Sequence, residues 1–210
     1  MVDRTVKFIS LWIAGICVIV FLIQSIVPGF TETFYLSSDA LSMPWQFVTA
    51  IFLHGSLVHL IYNMFALIMF GLMLEGLIGE KKFMYVFLFS GVVANFIAFN
   101  FYPSSLGASG AIMGVLGMLA VLRPGMTVWA FNLPMPMFIA AILWAGGSVL
   151  GIFGFGDQNT GHIAHLSGII IGIGYGFYLR FKYDKRKNII FENKVVIDED
   201  SMRNWEDRNL

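Results

Sequence analysis

Charge is what this sequence has least of. Only 12% of its 210 residues are Asp, Glu, Lys or Arg, while 58% are hydrophobic and the mean hydropathy is +0.77. Ordinary globular domains carry about 25% charged and about 45–50% apolar residues. That shortage excludes an ordinary solvated domain and places the chain among membrane proteins. The 13 basic and 13 acidic residues cancel, so the total points to neither an acidic partner nor nucleic acid. Cysteine is nearly missing as well. Cys17 stands alone, which excludes an intramolecular disulfide and leaves the redox compartment unread. It lies in an apolar segment, where a thiol without an activating partner is a poor nucleophile.

What fills the chain instead is long apolar runs. Crossing a bilayer takes about 20 mostly apolar residues. Hydropathy predicts spans at Phe8–Val27, Leu57–Gly76, Phe83–Phe101, a shorter one at Ser109–Leu122, then Val128–Phe153 and Gly161–Phe181. No A-x-A-like cleavage site follows the first run, which is long for a signal-peptide core, so it reads as a retained helix. A further absence tests the count. With both termini in the cytoplasm, the three outer segments contain no Lys or Arg at all. Every basic residue falls inside: Arg4, Lys7, Lys81, Lys82, Arg123, Arg180, Lys182, Lys185, Arg186, Lys187, Lys194, Arg203 and Arg208. That is the asymmetry expected of cytoplasmic flanks. The expected layout is a cytoplasmic flank at 1–7, a six-helix domain at 8–181 and a cytoplasmic tail at 182–210 in a plasma-membrane protein. The basic start of that tail would attract anionic lipid.

Two stretches depart from a plain bundle. The first outer segment, from Pro28 to about Ser56, ends in "MPWQFVTAIFLHG". A solvated loop would not gather Trp45, Phe47, Ile51 and Phe52, so an element embedded in the outer leaflet is expected. The fourth span is too short to cross unless it begins below the surface. Its first residue is Ser109.

Polar groups at membrane depth are costly and mark function by default. The four histidines, His54, His59, His162 and His165, all fall at the outer ends of spans, as do Asn63 and Ser109. On the inner side Glu75 is nearly alone, and it reads as an interfacial charge or a cap on a neighbouring loop. Gly110/Gly114 and Gly168/Gly172/Gly176 give the fourth and sixth spans small-residue faces that allow close approach. Such contact would bring Ser109 within reach of a histidine, the usual base for a serine nucleophile. No carboxylate is placed to orient that histidine, since Asp157 sits in a polar turn, so a dyad is expected rather than a triad. The Ser109 N–H, unpaired at a helix start, and His59 with Asn63, one turn apart on one face, would serve a developing oxyanion.

The histidines also admit a metal-binding reading, as a transporter or metalloenzyme, because neutral imidazole suits zinc. Against it stand the lack of H-E-x-x-H, of an outer glutamate beside them and of a neighbouring cysteine. A channel would need polar groups through both leaflets, and the inner half is nearly bare.

Three blocks, in order, resemble the rhomboid intramembrane serine proteases. "PWQFVTAIFLHGSLVHLIYNMFAL" (44–67) is similar to the family's embedded first loop and second helix, with H-x4-H-x3-N at His54, His59 and Asn63. "GASG" (107–110) resembles the G-x-S-G block, and "AHLSGIIIG" (164–172) resembles A-H-x-x-G-x-x-x-G. The resemblance implies an all-α, six-transmembrane-helix bundle that cleaves transmembrane segments of other proteins without a cofactor. It implies Ser109 as nucleophile, His165 as base, and His59, Asn63 and the Ser109 amide as the oxyanion hole. Gly107, Gly110, Gly168 and Gly172 would be accessory. His162 would line a water path, and His54 would tie down the first loop by a hydrogen bond. One position departs: many members carry an aromatic residue four after the serine, where this chain has Met113. Altered packing against the imidazole is expected there rather than lost activity. An inactive relative would normally have lost the serine or the histidine, and both are present.

Overall fold

The computed structural model of the chain describes residues 8–155, 157 and 160–192, without the side chains of 183–192. The predicted flank at 1–7, the tail beyond 192 and part of the Asp157 turn (Gln158 and Asn159) lie outside the described residues, and with them Arg4, Lys7, Lys194, Arg203 and Arg208 of the charge pattern. The chain divides into two units after Phe177. In the second, the Lys182 ammonium lies 5.6 Å from the centre of the Tyr178 ring.

Helix α1 spans Ile9–Ile26. The loop after it folds into the short helices α2 (Phe30–Phe34) and α3 (Gln46–Thr49), with strand β1 (Leu36–Ser37) between them and a single 3-10 turn at Ala50–Phe52 after them. Then come α4 (Leu57–Ile78), α5 (Glu80–Ala98), strand β2 (Ser104–Ser105), α6 (Ser109–Leu122), strands β3 (Thr127–Ala130) and β4 (Leu133–Pro136), α7 (Met137–Ile152) and α8 (His162–Glu192). Among the described residues, α1, α4, α5 and the 162–182 part of α8 are long and apolar enough to cross a membrane. The apolar helices α6 and α7 are shorter.

The packing is that of a protein solvated by lipid. Helix α1 buries only Ser10, Ile13, Ala14 and Cys17, a stripe at helical spacing, and exposes Trp12, Ile19, Leu22 and Ile26. Its start is held by Glu75 of α4. That carboxylate, 2% exposed, accepts from the Ile9 N–H (2.8 Å), the Ser10 N–H (3.0 Å) and the Ser10 hydroxyl (2.9 Å). It thereby satisfies the first donors of a helix that its own N-cap side chain does not serve. Of the two sequence readings of Glu75, capping is the one realised, on a helix rather than a loop. Helix α6 is the reverse of α1: from Gly110 to Leu119 every residue is buried, between α5, α4 and α7.

The fifth span differs from its sequence reading. Helix α7 begins at Met137, not near Val128, because Thr127–Pro136 forms a hairpin with Ala130 paired to Leu133. The two residues of its turn, Phe131 and Asn132, have φ of 53° and 61°, as a type I′ turn requires. Pro134 and Pro136 lack the N–H that a helix would use there.

Candidate active site

The first loop is built against the segment that leads to Ser109. Strand β1 pairs with β2, Leu36 opposite Ser105, and the Gly107 N–H donates to the Ala50 carbonyl at 2.9 Å. Leu36, Ala40, Ala50, Ala94, Ala98 and Ala164 form one buried cluster of small residues, flanked by Phe47, Phe99 and Tyr102. Inside the loop the buried Gln46 amide accepts from the Ser37 N–H and hydroxyl and donates to the Thr33 carbonyl. These bonds satisfy backbone that a bilayer would otherwise leave unpaired.

Gly107 has φ +127°, a conformation that side-chain-bearing residues rarely adopt. A Cβ there would stand 2.8 Å from His59 Cε1, so the loop before Ser109 lies directly on the His59 ring. His59 is in the first turn of α4, whose start is capped by Ser56, its hydroxyl accepting from the His59 N–H at 3.1 Å. One turn on, buried Asn63 donates to the His59 carbonyl at 2.9 Å. The His54 and His59 rings meet edge to face at 5.2 Å.

Helices α6 and α8 touch backbone to backbone through their glycines. A Cβ on Gly168 would run into the Gly110 carbonyl, one on Gly172 into the Gly114 carbonyl, and one on Gly117 into the Ile169 carbonyl. At the top of this seam the Cβ position of Gly110 is 3.6 Å from the Ala164 carbonyl oxygen. Ser109 immediately precedes Gly110 and His165 immediately follows Ala164, so the two flank one close contact. Met113 is buried, and the Cβ position of Gly168 is 3.2 Å from its Cβ. The methionine thus sits in the seam one turn below Ser109.

His162 lies away from this contact. Its ring covers Gly151 of α7, where a Cβ would strike it, Nε2 donates to the Asp157 carbonyl at 3.0 Å, and its ring centre is 6.4 Å from that of His165. The hydrogen bonds that tie down His54 are made by its main chain: its N–H donates to Gln24 Oε1 and its carbonyl accepts from Gln24 Nε2. The His54 ring, 1% exposed, makes no well-formed hydrogen bond among the described residues. The histidines stand as two pairs, and among the described residues no three His, Cys, Asp or Glu side chains gather as metal ligands would.

Two contributors went unread in the sequence. Gln24 carried a signal, since it is the lone amide in the apolar run of α1 and polar residues at that depth are seldom idle. Tyr102, whose hydroxyl accepts from the Ile163 N–H at 3.1 Å, carried none, because a tyrosine at the end of a span is ordinary.

The sequence is similar to known proteins. The sequence profile of the Rhomboid domain matches residues 41–182, which hold every candidate residue named above except Gln24. The chain is 27% identical to the rhomboid protease GlpG of Haemophilus influenzae, over 80% of this chain and 89% of that one. It is 33% identical to the mitochondrial RHOMBOID-like protein 6 of Arabidopsis thaliana over 64% of this chain. With the mitochondrial rhomboid protein 1 of Saccharomyces cerevisiae the identity is 29% over 72% of this chain. It spans only 43% and 46% of the length of those last two relatives. With its apolar helices, its glycine seam and a profile match over more than half its length, the chain belongs to the rhomboid family and is a multi-pass integral membrane protein.

Proposed function

We propose that this chain is an intramembrane serine endopeptidase that cleaves transmembrane segments of other proteins near the outer face of the membrane. The observation that carries the reading is the glycine contact of α6 with α8, which sets Ser109 and His165 on either side of one backbone approach. In the substrate-bound state Ser109 Oγ donates its hydrogen bond to the His165 imidazole. Catalytic hydrogen bonds commonly tighten only at that stage. His165 then takes the hydroxyl proton as Oγ attacks the scissile carbonyl carbon. The same proton passes to the departing amine as the peptide C–N bond breaks and the acyl-enzyme forms. Water attacks the ester in turn, its proton returning through His165 to Ser109. His59, Asn63 and the Ser109 N–H face the oxygen on which negative charge develops.

The six-span layout, with both termini cytoplasmic and the first loop in the outer leaflet, is part of this proposal. It is supported by the one-sided basic residues and by exposed Leu41, Trp45 and Val48 on that loop. Residues 8–181 would form the protease, 1–7 and 182–210 its cytoplasmic flanks, and the plasma membrane its site. The test is reconstitution. The protein in liposomes should cut a single-span substrate near its outer end, and Ser109→Ala or His165→Ala should each remove about 10³-fold or more of the rate. EDTA should change nothing. Full activity in the serine variant would overturn the proposal, and loss with EDTA would favour the metal-binding reading.

A further inference from the structure

The side-chain amide of Gln24 binds both main-chain groups of one residue, His54. From within α1, Oε1 accepts the His54 N–H at 3.0 Å, while Nε2 donates to the His54 carbonyl at 3.4 Å and to the Thr31 hydroxyl at 3.1 Å. The gripped residue lies 30 positions away in sequence, at the junction between the 3-10 turn and α4. From there the contacts run directly to the candidate site. The His54 ring is wholly buried and packs edge to face on His59 at 5.2 Å. The His59 ring fills the space over Gly107, two residues before Ser109. Gly107 is in turn bound to Ala50, at the other end of the gripped turn. The ring of His59 is thus bounded by His54 on one side and the serine loop on the other, and the main chain of His54 is anchored to α1 by Gln24.

We infer that Gln24 is a positioning residue, which acts through His54 to hold the His59 ring at the distance from Ser109 that oxyanion binding needs. The inference rests on the serine-protease reading of the site. A helix-borne amide suits the task because it supplies one donor and one acceptor, which pair with the C=O and the N–H of a single residue. In a bilayer neither main-chain group of His54 has water to turn to, which makes the pair of bonds costly to break. A displacement of about 1 Å at a catalytic group is enough to cost orders of magnitude in rate.

The experiment is a double-mutant cycle in liposomes. Gln24→Met nearly keeps the volume of the side chain and removes its bonds to the His54 N–H and carbonyl. It should lower kcat about ten-fold or more, with KM within about two-fold of wild type. In a His59→Ala background the same substitution should change kcat by less than about two-fold, because the group it positions is gone. Thr31→Val removes only the bond that does not touch His54, and its kcat should match wild type. Independent, multiplying effects of Gln24→Met and His59→Ala would overturn the inference, as would an unchanged kcat in Gln24→Met. An equal loss in Thr31→Val would do the same, since it would mark a merely structural network. Should the unsubstituted protein show no Ser109-dependent cleavage, the protease reading itself fails, an outcome separate from all of these.

Discussion

Two seams of small residues hold this bundle, and they treat polar groups in opposite ways. At the far end of α4, Ser10 of α1 fits so closely over Gly71 that a Cβ there would stand 2.8 Å from the Ser10 Cβ. The charge beside it, Glu75, accepts three hydrogen bonds from α1. That carboxylate is matched by the donors of a helix start and leaves no group aimed at a ligand. The second seam joins α6 to α8, and there glycine meets backbone directly. At its top Gly110 lies against the Ala164 carbonyl, next in sequence to Ser109 and His165, and the Ser109 N–H opens a helix whose first donors have no intrahelical acceptor. Both seams use the same device, small residues that permit close approach without hydrophobic drive between helices. The difference is in what is left over. A satisfied polar group such as Glu75 stabilises a structure, whereas the proposed reaction requires polar groups at the second seam that stay open to a reacting carbonyl.

Breaking the second seam should do the most damage. Gly172→Val places a branched side chain where the Gly114 carbonyl now lies, so α8 must move away from α6. A cleavage rate down by about 100-fold or more is expected from such a displacement of Ser109 from His165, measured on liposomes with equal amounts of folded protein. Breaking the first seam should harm the fold and spare the chemistry. Glu75→Ala orphans the Ile9 and Ser10 donors and should cost about 1–3 kcal/mol, seen as a lower Tm in detergent. The kcat of the folded fraction should stay within about two-fold of wild type, because Glu75 sits at the opposite end of α4 from His59. A large kcat loss there would show that the two ends are coupled. The smallest effect is expected at Met113, where Met113→Phe inserts a ring between α6 and the Gly168 turn. Swaps of roughly equal volume cost little in a core, so kcat should change by no more than about three-fold.

Much of this was legible in the residues. Most helix positions follow from hydropathy, and α4, α5, α6 and the start of α8 fall within a few residues of the predicted bounds. Ser109 opens α6 where the sequence placed it, and the spaced glycines of the fourth and sixth spans do meet. The fifth span was misread over residues 128–136. Hydropathy registers the apolar character of "VWAFNLPMP" but not its prolines and its Phe131-Asn132 turn, which make it a hairpin. His54 was read as tying down the first loop by a hydrogen bond, and in the structure the bonds there are made by its main chain. No sequence pattern reports that kind of tie, because every residue carries the same peptide groups.

The sequence by itself determined that this chain belongs in a bilayer, which segments are apolar enough to lie there, and which few polar residues sit at their ends. Those facts are local: each follows from the free energy of moving a side chain or a peptide out of water, and composition along a window is enough to read them. Tertiary structure alone decided that Gly107 lies on the His59 ring, that Gly110 lies against the Ala164 carbonyl, and that Gln24 reaches 30 residues along the chain to the main chain of His54. Contacts of that kind depend on how helices far apart in sequence approach one another. The approach is set by the sum of many small packing terms rather than by any one residue's preference.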